Sequence, residues 1–380
     1  MRLPAPRSLP RFSGGPHDAR TATAVGRWLG LGVLVCFVTG LVSHGLQTPP
    51  DWLAPRLSPR PVWGYRLSQG LHVACGIALV PLLLAKLWVV YPRLFAWPPV
   101  RSTANALDRL SVAVLVSVAL LEVLLGLQNI TQWYPWPFPF KPVHWALAWV
   151  LAGSLLLHVG VRLPLVVGGW RRAPGDPVEP ERRSLLRGVG AGVAAVTVTT
   201  VGQTFTPLRP LNLLAPRDPE PGTAGTTQGL PINRSAAAAG IDAAALTSPA
   251  WRLTVDGPAG YRLSLAELRA LRQHTERLPI ACVEGWSASA EWTGVRLRDL
   301  VTAAGAPGGT SVRVVSAQQR GGYRVMELPA AYVADPLTLL ALRLNGEVLS
   351  LDHGFPARII APNRPGVWQT KWVARIEALG

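Results

Sequence analysis

A chain of 380 residues is long for one ordinary domain, and 49% hydrophobic residues with a mean hydropathy of +0.26 are unusual for a soluble protein. The net charge of +16 is unevenly placed, with 19 Lys and Arg against 7 Asp and Glu up to residue 206 and 18 against 14 beyond it. Basic residues flanking apolar segments account for that excess, and no nucleic-acid module is visible, so the composition argues against nucleic acid as a partner.

A membrane-spanning helix needs about 20 mainly apolar residues. Five stretches qualify, near 28–46, 69–90, 108–127, 143–161 and 188–206. Ten of the fifteen tryptophans precede residue 206, and Trp28, Trp63, Trp133, Trp136 and Trp170 lie near the ends of these stretches, where amphipathic rings prefer the membrane interface. Arg2, Arg7, Arg11, Arg20 and Arg27 in the tail, and Arg171, Arg172, Arg182, Arg183 and Arg187 in the fourth connection, belong on the cytoplasmic side. Arg93, Arg101 and Arg109 agree, as does the third connection with its single Lys141, whereas Arg56, Arg60 and Arg66 in the first connection run against it. Five crossings then place residues 207–380 outside.

Histidines inside these stretches suggest a second role for the membrane half. His72 and His144 lie near the outer ends of the second and fourth spans, so their depths match, as bis-histidine ligation of a haem between helices requires. This arrangement resembles bacterial four-helix b-type cytochromes, which implies haem b and exchange of electrons with quinone or quinol. His158 follows His144 by fourteen positions, about 21 Å along the helix at 1.5 Å per residue, and with His44 it is an alternate ligand. Interfacial or bundle-bonded histidines are the other reading. Glu122, in the third span, is a candidate for a quinol proton or reaches for the interface.

Before the fifth stretch, Glu181-Arg182-Arg183-Ser184-Leu185-Leu186-Arg187 resembles a twin-arginine export signal, with Glu181 and Leu185 departing from the commonest Ser and Phe. A positive-inside flank is the alternative. Residues 207–232, rich in Pro, Gly and Thr, read as a linker, and an α+β soluble domain is expected over 233–380. Within it, 251–255 alternates like a strand, Ser264-Leu265-Ala266-Glu267 is a capping box opening a helix to about His274, and strands are predicted at 278–283, 311–316, 322–328, 340–349 and 356–361.

Of three cysteines, Cys36 and Cys75 lie in apolar runs, which leaves Cys282 alone in the exported half with no disulfide partner there. The stretch Cys282 to Ser287, followed by Trp292-Thr293-Gly294-Val295 and Leu297 to Leu300, resembles the cofactor segment of the sulfite-oxidase-fold molybdopterin enzymes. A second match runs from Asn345-Gly346-Glu347 through Asp352-His353-Gly354-Phe355-Pro356-Ala357-Arg358 to Arg364 and Trp372. The resemblance implies a molybdenum–thiolate bond at Cys282 and pterin contacts from His353, Arg358, Gln369, Thr370 and Lys371, with Asn233, Arg234 and Ser316 as further contacts. Arg358 suits an anionic phosphate through bidentate donation, Lys371 through a point charge. No arginine follows the cysteine in Val283 to Ser287, which moves the resemblance from the classical sulfite oxidases toward the periplasmic methionine-sulfoxide-reductase-like branch. Glu284, Trp286 and Tyr323 are candidates for the substrate mouth.

The expectation is thus a multi-pass protein of the bacterial cell membrane, its N-terminus cytoplasmic. Residues 1–206 form a bundle feeding an extracytoplasmic molybdenum-cofactor oxidoreductase, which acts on a small or protein-bound sulfoxide-like or sulfite-like substrate. A non-catalytic pterin-fold binding module, or an enzyme whose helices are a plain anchor, are the rival readings. Substrate, direction and oligomeric state are open on the sequence.

Overall fold

A computed structural model describes residues 17–98, 100–170, 180–215 and 228–380. Arg2, Arg7, Arg11, Arg171 and Arg172, and the middle of the expected linker, 216–227, lie outside the described residues. The chain divides into two compact units: Met1–Val38 with His72–Thr200, and Thr39–Leu71 with Val201–Gly380. Residues 39–71 and 201–206, which the sequence assigns to the bundle, group with the second unit.

In the first half the helices are α1 (Ala19–Gln47), α2 (Gly64–Leu94), α3 (Thr103–Thr131), α4 (Phe140–Trp170) and α5 (Pro180–Val201). All five are long and apolar enough to cross a membrane by length and composition. Large apolar side chains such as Leu84, Trp88 and Leu156 are exposed. Ser102 opens α3 by accepting from the Asn105 N–H (3.1 Å). The fifth helix begins earlier than the apolar run, taking in Arg182 and Arg183, and stops at Val201. The chain then tightens into a 3₁₀ turn over Thr206–Leu211, where Pro207 and Pro210 cannot continue an α-helix.

The C-terminal domain mixes short helices with two mostly antiparallel sheets. Its elements are α6 (Ala243–Thr247), β1 (Arg252–Asp256), β2 (Tyr261–Ser264), α7 (Leu265–Ala270), β3 (His274–Ala281), β4 (Ser287–Arg296) and α8 (Leu297–Ala303). After these come β5 (Val312–Ser316), β6 (Val325–Leu328), α9 (Ala330–Ala334), β7 (Leu339–Leu344), β8 (Glu347–Val348), β9 (Arg358–Ile360) and β10 (Val373–Ala378). One sheet has the order β2-β1-β10-β5-β6; in the other, β3-β4-β7-β8, β9 also pairs with β7. Among the named strands of the described residues, β1 and β10 are the one pair that runs parallel.

Strand β7 is buried on both faces. Leu340 and Leu342 join the larger core, while Leu339 and Ala341 enter a second core that contains Cys282 and Trp286. That second core supports the site from beneath. The capping box at Ser264 forms as expected, with Glu267 Oε2 accepting from the Ser264 N–H (2.7 Å) and Ser264 Oγ from the Glu267 N–H (3.2 Å). The helix it opens ends at Ala270 rather than His274, because His274 is recruited into β3 opposite Gly294. The strand predicted over 278–283 ends at Ala281, which leaves Cys282 just beyond it.

Candidate active site

Cys282 starts a tight turn between β3 and β4. Its N–H donates to the Trp286 carbonyl (2.9 Å), its carbonyl accepts from the Gly285 N–H (3.1 Å), and Gly285 takes φ +91°, a conformation open to glycine but strained for other residues. The thiol is 1% exposed. Asn233 Nδ2 donates to Cys282 Sγ, and Asn233 Oδ1 accepts from Trp286 Nε1 (3.0 Å), so Asn233 ties the ring to the sulfur. Burial pushes the Cys282 thiol up, the charge of buried Glu284 adds to this, and hydrogen bonds from the Glu284 N–H, Asn233 and the Val283 N–H work against it. Such a sulfur ionises readily only when a cation replaces its proton.

Beyond Asn233 lies a group of cations, Arg358 buried and Lys371 and Arg234 half-buried. Lys371 Nζ donates to the carbonyls of Arg234 (3.0 Å) and Asp352 (2.6 Å). Burial, then the charge of Arg358, lower Lys371 to about 7. Arg358 donates through Nη1 to the His353 carbonyl (3.1 Å) and through Nη2 to the Gln369 carbonyl (3.2 Å), with its guanidinium 5.1 Å from the centre of the Trp292 ring. Burial lowers it to about 10. Among the described residues neither cation forms an ion pair with a carboxylate, and Arg358 Nε and Arg234 Nε have no hydrogen-bond partner. Buried positive charge with unspent donors beside a buried thiol fits an anionic, metal-bearing pterin.

The fold therefore gathers Cys282, Asn233, Arg234, Lys371, Arg358 and His353 into one chain of contacts, with His353 buried. Gln369 spends its side chain on Ala361, accepting from the N–H (2.7 Å) and donating to the carbonyl (2.8 Å). Thr370 Oγ1 donates to Met326 Sδ (3.5 Å), and Ser316 Oγ donates to the Lys371 carbonyl (2.8 Å). In this structure those three side chains serve the backbone and core around the cations. Of the mouth candidates, Trp286 is packed in the second core, while half-buried Tyr323 stands edge-on to Trp368 (5.1 Å). Burial, then the charge of Cys282, raises Tyr323. Sequence reading missed Asp352 as the acceptor for Lys371, and Gln69, whose Nε2 donates to the Val283 carbonyl (3.1 Å). No local pattern pairs residue 69 with residue 283.

In the first unit the rings of His72 and His144 stand 6.2 Å apart, nearly perpendicular at 84°. His72 Nδ1 lies 2.9 Å from the Cys36 carbonyl, and His144 Nδ1 lies 3.0 Å from Glu122 Oε2. An oxygen partner on Nδ1, as His72 has, is the usual arrangement when Nε2 is the ligating nitrogen, whereas His144 Nδ1 lies close to Glu122 without hydrogen-bond geometry. The alternates are placed differently: His158 lies farther along α4 and His44 belongs to the second unit.

Comparison with known proteins matches residues 240–380 to the family described as oxidoreductase molybdopterin binding domain. Sulfite oxidase of Gallus gallus is 32% identical over 162 residues, covering 35% of this chain and 35% of that protein. The protein-methionine-sulfoxide reductase catalytic subunit MsrP of Burkholderia mallei is 31% identical over 143 residues, covering 33% of this chain and 43% of that protein. The uncharacterized oxidoreductase YuiH of Bacillus subtilis is 31% identical over 130 residues, covering 33% and 64%. The chain spans between about a third and two thirds of the length of these relatives. A buried lone cysteine set against cations with unspent donors thus lies in a segment, residues 240–380, that is similar to the oxidoreductase molybdopterin binding domain.

Proposed function

We propose that this protein is a membrane-anchored, extracytoplasmic molybdenum-cofactor oxidoreductase that exchanges electrons with the quinone pool through a haem b on His72 and His144. The observation that carries the reading is the buried Cys282 thiol in the same site as half-buried Lys371 and buried Arg358, cations that form no ion pair with a carboxylate among the described residues. Bound there, the molybdenum cofactor would supply two-electron oxygen-atom transfer. Cys282 would give the one protein sulfur to the metal, and Asn233 would hold that sulfur in place. Arg358 and Lys371, with Arg234, would neutralise the pterin phosphate. Tyr323 would face the substrate side of Cys282, and its raised phenol would remain a proton donor at neutral pH.

For the haem, two imidazole rings flanking one iron are set about 6 Å apart, given metal–nitrogen bonds of roughly 2 Å on each side. The separation of His72 and His144 suits that requirement. Glu122 would orient His144, as a carboxylate does for a ligating imidazole. The direction favoured is reduction of a sulfoxide-like oxide, because no arginine follows Cys282 within Val283 to Ser287 to bind a sulfite-like oxyanion.

Metal analysis and an optical spectrum test both parts on protein purified from membranes of a host that makes the pterin. Near-stoichiometric molybdenum in wild type, lost or electronically altered in Cys282→Ser, with a reducible b-type haem in both, is the expected result. Molybdenum absent from wild type would sink the enzyme reading, and a missing Soret band would reduce the helices to an anchor.

A further inference from the structure

The turn that follows Cys282 is held by residues that precede the family-matched region. Gln69 Nε2 donates to the Val283 carbonyl (3.1 Å), and Arg66 Nη1 donates to Ser289 Oγ (3.2 Å). The Thr204 hydroxyl donates to the Gly285 carbonyl. The Thr204 carbonyl accepts from Ser287 Oγ (3.2 Å) and from Arg66 Nη2 (2.8 Å), and the Ser287 N–H donates to the Gln203 carbonyl (2.9 Å). Residues 283, 285, 287 and 289 are each tied in this way.

The clamp is itself braced. Gln69 Oε1 accepts from Ser43 Oγ (2.8 Å), and Ser43 Oγ accepts from Gln47 Nε2 (2.9 Å). The Gln47 carbonyl takes the Trp368 Nε1–H (2.8 Å), whose ring meets Tyr323. Ser43, Gln47 and Gln69 are all buried, so these polar groups are removed from water and their bonds are expensive to leave unmade. Three buried, mutually bonded polar side chains leading to one cysteine turn are more than anchoring a helix requires. A metal–thiolate bond depends on where the sulfur points, and groups outside the ligand set that direction.

We propose that Gln69 and Arg66, on the first two turns of α2, are positioning residues of the Cys282 site. They lock the Val283–Ser289 turn and so fix the direction in which the Cys282 sulfur meets its metal. Stretches read as membrane anchor thus contribute to the geometry of the catalytic centre, an inference that rests on the molybdenum reading above.

The test compares wild type, Gln69→Ala and Arg66→Ala with Leu67→Ala, an exposed neighbour on the same helix. Iodoacetamide labelling of cofactor-free protein, read at Cys282 by mass spectrometry, should run about tenfold faster in the first two variants, because the turn opens more often once its ties are cut. Labelling of Cys36 and Cys75 in the same samples should not change. In cofactor-loaded protein the same two variants should keep their molybdenum yet show a shifted Mo(V) electron paramagnetic resonance signal, a change that general loss of stability does not produce. Wild-type labelling rates and superimposable signals in both variants would overturn the proposal. Metal-free wild type would sink the molybdenum reading instead, while the labelling arm would still decide the clamp.

Discussion

At the scale of single residues, the site is a problem of burying charge. Lys371 stands at about 7 in the folded chain against roughly 10.4 in an unfolded one. Between those values the unfolded state holds one more proton, so the stability of the cofactor-free domain should rise with pH across that window, and the cost of the buried charge is fully present below it. Thermal unfolding of Lys371→Met should show a flatter pH dependence than wild type. Binding of sulfate, whose charge is constant over this range, should tighten as pH falls through about 7, as titration calorimetry on cofactor-free protein would read. The same substitution should remove most of that binding. Cys282→Ser should deplete the site of molybdenum or alter the metal's electronic signature without unfolding the domain, because serine fits the space of the thiol and keeps the Asn233 contact.

At the scale of elements, β3, its turn and β4 set where the sulfur stands. Gly294 lies in β4 at a register shift against β7, and a Cβ added there would meet the Leu340 carbonyl oxygen at 2.0 Å and the Ala341 Cα at 2.6 Å. Gly294→Ala should therefore cost about 1–3 kcal/mol by overpacking. Its melting temperature should fall by several degrees, given about 2–4 °C per kcal/mol for a domain of this size. Gly354 is constrained similarly: at φ +108° its Cβ would sit 3.0 Å from the Lys371 Cβ, so Gly354→Ala should weaken cofactor retention as well as stability, measured as molybdenum left after gel filtration. The missed elements have physical explanations. Strand β4 contains Ala288, Ala290 and Gly294, residues with low strand propensity, and it forms because β3 and β7 pair with it on both sides. Strand β10 is placed by parallel pairing with β1, more than a hundred residues earlier, which no local pattern announces.

At the scale of the whole molecule, the two units suggest two cofactors with separable signatures. His72→Ala and His144→Ala should each abolish the Soret and α bands of purified protein, whereas His158→Ala should keep them. Haem loss in His158→Ala alone would reassign the ligands. Glu122→Gln should keep the haem and shift its midpoint potential, since it changes the charge on the oxygen facing His144 Nδ1.

Five apolar helices were legible in the residues alone, because length and hydropathy are properties of a continuous segment, and Cys282 stood out because no second thiol lies in its half of the chain. Arg358, His353 and Lys371 stood out as well, because their motif lies close together along the chain. That Asn233 reaches the sulfur, that Lys371 donates to Arg234 and Asp352, and that His72 faces His144 emerge from the folded chain alone. So does the hold of Gln69 and Thr204 on the cysteine turn, because those bonds join segments 81 to 214 residues apart. Periodicity encodes which face of a segment is buried, and only packing selects the distant segment that covers it.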